Sequence, residues 1–368
     1  MLPDNERPQI QVLVVDDSAV VRQVMDAVLS QEGDMAVTVA ADPIIALQKM
    51  KQFRPHVIVL DLEMPRMDGL TFLRKIMAED PIPTLICSSV AARGTVEAMR
   101  ALQEGAIGIV TKPKLGVGNF LHESAVMLID AVRSAAGARV RQRATFPVQQ
   151  KPKTALPRIR VSPVSADAGR IVAIGASTGG TEALAKILTA MPKDSPGILV
   201  VQHMPELFTA AFAKWLDNIC QVDVKEAEHG DVITPGRAFI APGNRHTSVC
   251  RLGSHFRIQV TDGPLVSRHR PSVNVLFHSV AQSAGSESLG VILTGMGDDG
   301  AEGLLGMRAA GAYTIAQDEA TCVVFGMPKE AIRRGAVHQT LPLESIPAAL
   351  INFGTHGVRA LQERLLVS

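Results

Sequence analysis

The stretch IVAIGASTGGTEAL, residues 171–184, decides how this 368-residue chain is read. It opens as a short apolar run, turns through small residues and glycines, and continues in a helical pattern. That is the strand–turn–helix step from which parallel α/β sheets are built. The turn holds Ser177 in the spacing G-x-S-x-G, which exposes a hydroxyl and a backbone N–H between small neighbours. A phosphate-cradling loop is disfavoured, because Thr181 and Glu182 follow Gly180 where such a loop needs its lysine. A dinucleotide turn is disfavoured too, because Ser177 stands where its second glycine belongs. From these residues alone two readings stay open: Ser177 is a nucleophile, or Ser177 or Thr178 is the N-cap of the following helix.

Working outward, RIVAIGA, GILVVQH, RAFIAPG, FRIQVTD, SLGVILTG and AYTIAQD are strand candidates. Helical patterns lie near Thr181–Ala190, Leu207–Ile219, Ser272–Ser283 and Ala301–Ala310. The expected fold of this half is a doubly wound, mainly parallel α/β domain. In such sheets ligands sit beyond the carboxyl ends of the strands. Ser177, His203 and the GMGDDG loop, with Asp298 and Asp299, each stand just past a strand. They supply a hydroxyl, an imidazole and a carboxylate, the parts needed to activate serine, accept its proton and orient the imidazolium. A lone strand-end histidine is ordinarily a packed residue, and an aspartate before a helix ordinarily a cap, so the weight lies on the combination. The order Ser…His…Asp differs from the α/β-hydrolase order and excludes that family without excluding the chemistry.

From Ile10 to about Ala136 the runs IQVLVV, MAVTVA, HVIVLDL, PTLICSS and AIGIV alternate with helix-length segments, predicting a second, N-terminal α/β domain with a five-stranded parallel sheet. Asp16 and Asp17, Asp61, Ser88 and Lys112 fall at strand ends, where a parallel sheet gathers them at one edge. Three carboxylates so close call for a hard divalent cation such as Mg²⁺. A carboxylate there can attack a phosphoryl donor, with Lys112 and Ser88 holding the new phosphoryl oxygens. Asp61 is the natural acceptor, since it stands alone on its strand. Helix capping by Asp17 or Ser18 is the plainer alternative for the DD pair.

Between the two series, Ala131 to Ala166 contains no Asp or Glu, eight Arg or Lys residues and four prolines. It is expected to be a basic helix tail, continuing to about Val140, that runs into an extended linker. The expected domains are therefore 1–136, a linker at 137–169, and 170–368. The formal net charge of +1 gives no global field for nucleic acid. The four cysteines, Cys87, Cys220, Cys250 and Cys322, make no CxxC pair. With no signal-like N-terminus and no apolar run of ~18 residues, no membrane insertion and a cytoplasmic location are expected.

At VVDDS, LDLEMPRMDG, ICSS and VTKP the N-terminal domain resembles the receiver domain of two-component response regulators, a flavodoxin-like fold. The resemblance implies phosphorylation at Asp61 by a chemotaxis-type histidine kinase, Mg²⁺ held by Asp16, Asp17 and Asp61, and Ser88 and Lys112 as switch residues. No Tyr or Phe stands near Gly108, where that family has its aromatic switch. At IGASTGGTEAL, VQHMPELFTAAFAKWLD, AFIAPGNRH, RPSVNVLF, ILTGMGDDGAEG and QDEATCVVFGMP the C-terminal domain resembles the catalytic domain of the chemotaxis protein-glutamate methylesterases. That resemblance implies Ser177 as nucleophile, His203 as general base and acid, and Asp299 as orienting carboxylate. It further implies an oxyanion pocket around the backbone of Thr178 and Met296, and no cofactor at the esterase site. The implied reaction is hydrolysis of glutamate methyl esters on methyl-accepting chemotaxis receptors, with deamidation of receptor glutamines as related acyl chemistry. Family members often carry Asn at the position of Asp298, whose added charge is expected to raise the His203 pKa. Arg268, His269 and Arg270, and likewise Asn244, Arg245 and His246, are left open between guiding an anionic receptor helix and forming solvated turns.

Overall fold

The structure, a computed structural model, describes residues 9–88, 92–112, 118–140 and 169–365. The chain divides into two compact units, Met1–Phe146 and Pro147–Ser368. Most of the expected linker, 137–169, lies outside the described residues.

The first unit alternates β1 (Ile10–Val15), α1 (Ala19–Ser30), β2 (Met35–Ala40), α2 (Pro43–Met50), β3 (Val57–Leu60), α3 (Gly69–Glu79), β4 (Thr84–Ser88), α4 (Ala92–Gln103), β5 (Gly108–Thr111) and α5 (Gly118–Ala136). Its five strands run parallel in the order β2-β1-β3-β4-β5. The central strand β3, VIVL, is buried throughout, as expected of a sheet covered on both faces. Ser18 is the N-cap of α1, its hydroxyl accepting the Val21 N–H. Helix α5 stops at Ala136, short of the expected Val140: Gly137 follows, and the Ala138 N–H closes back on the Ala135 carbonyl. A glycine just past the last turn is a common helix stop.

The second unit contains β6 (Ile171–Ala176), α6 (Gly180–Thr189), β7 (Gly197–Gln202), α7 (Phe208–Ile219), β8 (Asp223–Glu226), β9 (Val232–Ile233), β10 (Arg237–Ile240), β11 (His246–Leu252), β12 (His255–Thr261), α8 (Val273–Ala284), β13 (Ser288–Ile292), α9 (Ala301–Ala309), β14 (Tyr313–Gln317), α10 (Met327–Arg333), β15 (Gln339–Leu341) and α11 (Ile346–Leu365). Seven strands form a wholly parallel sheet in the order β15-β14-β13-β6-β7-β10-β8. From the central β6 the chain lays β7, then the edge strand β8, and inserts β10 between them on one side, then returns to lay β13, β14 and β15 on the other. The direction of winding therefore switches between β6 and β13, where an open sheet leaves a crevice at its carboxyl edge.

One expectation is corrected here. FRIQVTD is a strand, but β12 lies outside the parallel sheet, in an antiparallel three-stranded sheet ordered β11-β12-β9. Its strict alternation of exposed and buried residues is the pattern of a sheet with one covered face. Phe256, Ile258 and Val260 from that face enter the same core as Phe277 and Val280 of α8. Burying each of these side chains contributes roughly 1.5–3 kcal/mol. This small sheet thereby anchors α8, whose first turn enters the site described next.

Candidate active site

Ser177 follows β6, and its backbone is pinned on both sides. Its N–H donates to the Thr294 carbonyl beyond β13 at 3.0 Å, and its carbonyl accepts the Gly180 N–H at 2.8 Å. The capping alternative does not hold: the N-cap of α6 is Gly179, at φ 78°, with no side-chain cap bond. Gly179 takes that left-handed backbone without a Cβ penalty, and a Cβ there would lie 2.5 Å from Val323 Cβ. The Ser177 hydroxyl is thus not spent on its own helix.

His203 follows the neighbouring β7, its N–H bonded to the Ala176 carbonyl at 3.0 Å. Its Nε2 lies 2.8 Å from Asp299 Oδ2. A carboxylate can only accept, so Nε2 carries the hydrogen and Nδ1 is the basic nitrogen. Nδ1 is buried and has no hydrogen-bond partner. The serine–histidine bond of a triad is therefore not made in this structure, as is common before substrate closes the geometry.

Asp299 comes from the loop after β13 and is 1% exposed. It caps α8 rather than the helix it precedes: the Ser272 hydroxyl donates to Oδ1 at 2.7 Å, the Val273 N–H to Oδ2 at 2.7 Å and the Asn274 N–H to Oδ1 at 3.0 Å. Burial pushes this carboxyl up, but bonds from His203, Asn274 and Ser272 outweigh it and hold the group below its ordinary value. The helix N-terminus adds favourable charge. Asp299 therefore stays ionised while it orients the imidazole.

Asp298 points elsewhere. Its exposed carboxylate pairs with Arg334 at 2.5 Å, so the added charge expected beside His203 is matched by the guanidinium of the residue that caps the C-terminus of α10. Thr178 and Met296 flank Ser177 from two directions. Thr178 follows it in the chain, and Met296 follows Gly295, where an added Cβ would lie 2.6 Å from Ser177 Cβ.

The RHR turn and the NRH loop, left open by sequence, acquire distinct roles. His269 stacks on His203, with ring centroids 3.7 Å apart and planes 7° from parallel. Its Nδ1–H donates to the Ser267 carbonyl at 2.7 Å. Burial, then the neighbouring His203, pushes its pKa down to about 3, so it stays neutral beside the His203 ring. Arg270 grips Asn244 Oδ1 at 3.0 and 2.7 Å and the Gly263 carbonyl at 2.6 Å, tying the two loops together. His246 accepts the Ser272 N–H and donates to Pro264, a buried scaffold position. Arg245 is paired with Asp262 at 3.0 Å. Sequence reasoning missed the stacking of His269 and the carboxylate-held Ser272, because neither lies at a strand end.

In the first unit, Asp16, Asp17 and Asp61 each offer a carboxylate oxygen within 4.8 Å of the others. Lys112 bridges two of them, 2.8 Å from Asp61 and 3.0 Å from Asp16. Burial opposes the Lys112 ammonium, yet these two partners hold its pKa above the ordinary lysine value. Burial pushes the Asp61 carboxyl up, against the pull of Lys112. Ser88 closes β4, buried, and its carbonyl accepts the Lys112 N–H at 3.1 Å. The acidic trio and its lysine fit a divalent cation: Asp17 is exposed and open to solvent, and all three donors are hard oxygens.

A receiver-like unit joined in one chain to a parallel α/β unit with a serine, histidine and aspartate at its switch point defines a class, response regulators with an attached hydrolase domain. Residues 172–350 match the CheB methylesterase family model and residues 12–116 the response regulator receiver domain. The chain is 56% identical, over 95% of its length and 98% of the relative's, to a protein-glutamate methylesterase/protein-glutamine glutaminase of Anaeromyxobacter dehalogenans. It is 52% identical to one of Photobacterium profundum, over 92% of this chain and 99% of that one. The crystal structure of the Thermotoga maritima CheB methylesterase catalytic domain aligns at 40% identity and a TM-score of 0.49, covering 50% of this chain and 98% of that one. This chain belongs to the CheB family of receiver-linked methylesterases.

Proposed function

We propose that this protein hydrolyses glutamate methyl esters on methyl-accepting chemotaxis receptors, releasing methanol, and deamidates receptor glutamines to glutamate, under control of phosphorylation at Asp61. The relatives' names support the reaction class. The observation that carries the reading is the His203–Asp299 contact of 2.8 Å, which makes Nδ1 the free base at the strand end next to Ser177.

In this mechanism His203 Nδ1 takes the Ser177 proton as Oγ bonds to the ester carbonyl carbon. The oxyanion forms in reach of the Thr178 and Met296 backbone N–H groups, whose preorganised dipoles lower its energy. Asp299, ionised, stabilises the imidazolium. The proton on Nδ1 then passes to the leaving methoxide, or to the departing amine when the substrate is an amide. Water, deprotonated at the same nitrogen, attacks the acyl-serine, and the proton returned to Ser177 Oγ frees the glutamate carboxylate. Neutral His269, stacked on His203, adds no charge that would oppose the imidazolium.

The receiver is assigned residues 1–136, the linker 137–169 and the esterase 170–368, with a histidine kinase as phosphodonor and the cytoplasm as location. Among the described residues no helix is long and apolar enough to cross a membrane. Asp16, Asp17 and Asp61 would hold Mg²⁺, which neutralises charge on the transferring phosphoryl group. Lys112 and Ser88 would bind the phosphoryl oxygens on Asp61. The added charge shifts the balance between inactive and active states of the chain.

The test is methanol release from methylated receptor membranes by the native chain and by Ser177→Ala. Loss of release in the variant is expected, and release at the native rate would overturn the assignment.

A further inference from the structure

Gln202 is the last residue of β7, 3% exposed, and none of the chemistry above uses it. Its side-chain nitrogen donates to two carbonyls, that of Ser177 at 2.9 Å and that of His203 at 3.0 Å. Both partners are acceptors only, so the nitrogen must face them and both amide hydrogens are used. Its oxygen is left buried without a hydrogen-bond partner. That orphaned acceptor is costly, and a hydrocarbon side chain of the same length would remove it only by giving up both bonds to the carbonyls. The amide is present despite it.

The space for this amide exists only because Gly180 lacks a side chain: a Cβ there would lie 2.1 Å from Gln202 Oε1. The register Ala176↔Gln202 places Ser177 and His203 immediately past paired residues of adjacent strands. Beyond that pair the ladder has ended, and the two chains diverge into α6 and the loop before α7. We propose that Gln202 is a positioning residue that clamps the backbones of Ser177 and His203 together and so sets the approach of Oγ to Nδ1. This rests on the assignment of Ser177 and His203 as nucleophile and base. A primary amide is the one neutral side chain that can donate to two carbonyls from a single atom while fitting this space. Glutamate, of the same shape, turns acceptor oxygens toward acceptor carbonyls, and methionine fills the volume with no donor.

The experiment compares the native full-length chain, Gln202→Met, Gln202→Glu and Ser177→Ala. Methanol release from methylated receptor membranes gives kcat and KM, and the rate of serine labelling by a fluorophosphonate is normalised to folded protein measured by thermal melting. Both Gln202 variants are expected to lose about 100-fold in kcat and in labelling rate, the scale of a 1 Å misplacement, with KM unchanged. The ratio of Gln202→Glu activity to native activity is expected to rise as the pH falls, because a protonated carboxyl regains one donor. If Gln202→Met labels and turns over within about twofold of native per folded molecule, or if its loss only tracks loss of folded protein, the clamp is overturned. Should Gln202→Met fold too poorly to measure, a flat Gln202→Glu ratio across pH overturns it equally. Activity retained in Ser177→Ala would instead remove the nucleophile assignment, so the two failures are told apart.

Discussion

The carboxylate of Asp299 holds His203 Nε2 at 2.8 Å while it also receives the first backbone N–H groups of α8, a helix that precedes it in the chain. One side chain thus orients the His203 imidazole and caps a helix. Asp299→Asn keeps the shape but offers an amide hydrogen where His203 needs an acceptor, so the wrong tautomer is favoured. A fall in kcat of about 10⁴-fold is expected in methanol release. Asp299→Ala, which also uncovers the helix end and leaves His203 and Ser272 unsatisfied, should in addition cost about 3–5 kcal/mol in denaturant unfolding of the catalytic unit.

His269 makes stability depend on pH. Its pKa falls from 6.5 to about 3 on folding, so below 6.5 the unfolded chain binds a proton that the folded chain refuses. Unfolded-state proton uptake favours unfolding, and the catalytic unit should lose up to about 1.4 kcal/mol per pH unit between these values. Above pH 6.5 this contribution vanishes. His269→Phe preserves a stacked ring without the titration, and denaturant melts from pH 7 to 4 should give it the flatter profile.

Gly295 is the close approach behind the serine. A Cβ there would lie 2.6 Å from Ser177 Cβ and 2.4 Å from Met327 Sδ. Gly295→Ala must therefore push the serine turn or α10 outward. Serine labelling should slow by about 100-fold, with a stability loss of about 1–3 kcal/mol by thermal melting.

In the receiver, Asp61→Asn should abolish hydroxylamine-sensitive phosphorylation from a small-molecule phosphodonor and remove donor-stimulated methanol release, leaving the basal rate. Chelation of divalent cations should block the same labelling in the native chain. Because burial raises the Asp61 pKa, its ionised, reactive form is lost at a higher pH than for an ordinary aspartate. In the cation-free chain, an NMR titration of the Asp61 carboxyl carbon across pH 3.5 to 7 would report that displacement.

The candidate site was legible where chemistry sits at strand ends. IVAIGA, GILVVQ and SLGVI are apolar runs whose local composition makes them buried strands, and Ser177, His203 and Asp299 follow them in the chain. In the receiver, the five strand-end residues were read the same way, and the sheet brings Asp16, Asp61 and Lys112 into contact. The short polar strand DVKE and the displaced β12 were not legible, since edge position and partner choice depend on distant chain.

Sequence by itself determined the two α/β series and which acids, lysine, serine and histidine follow their strands, because apolar periodicity and turn chemistry act over a few residues. The tertiary structure decided what long-range pairing controls. The order β13-β6-β7 sets the three strand ends side by side, and Gly179 rather than Ser177 becomes the cap. Asp299 reaches back to α8, His269 swings onto His203, and Gln202 bridges two strands. Each of these depends on groups far apart in the chain meeting in a packed core, and no local pattern records which of them will meet.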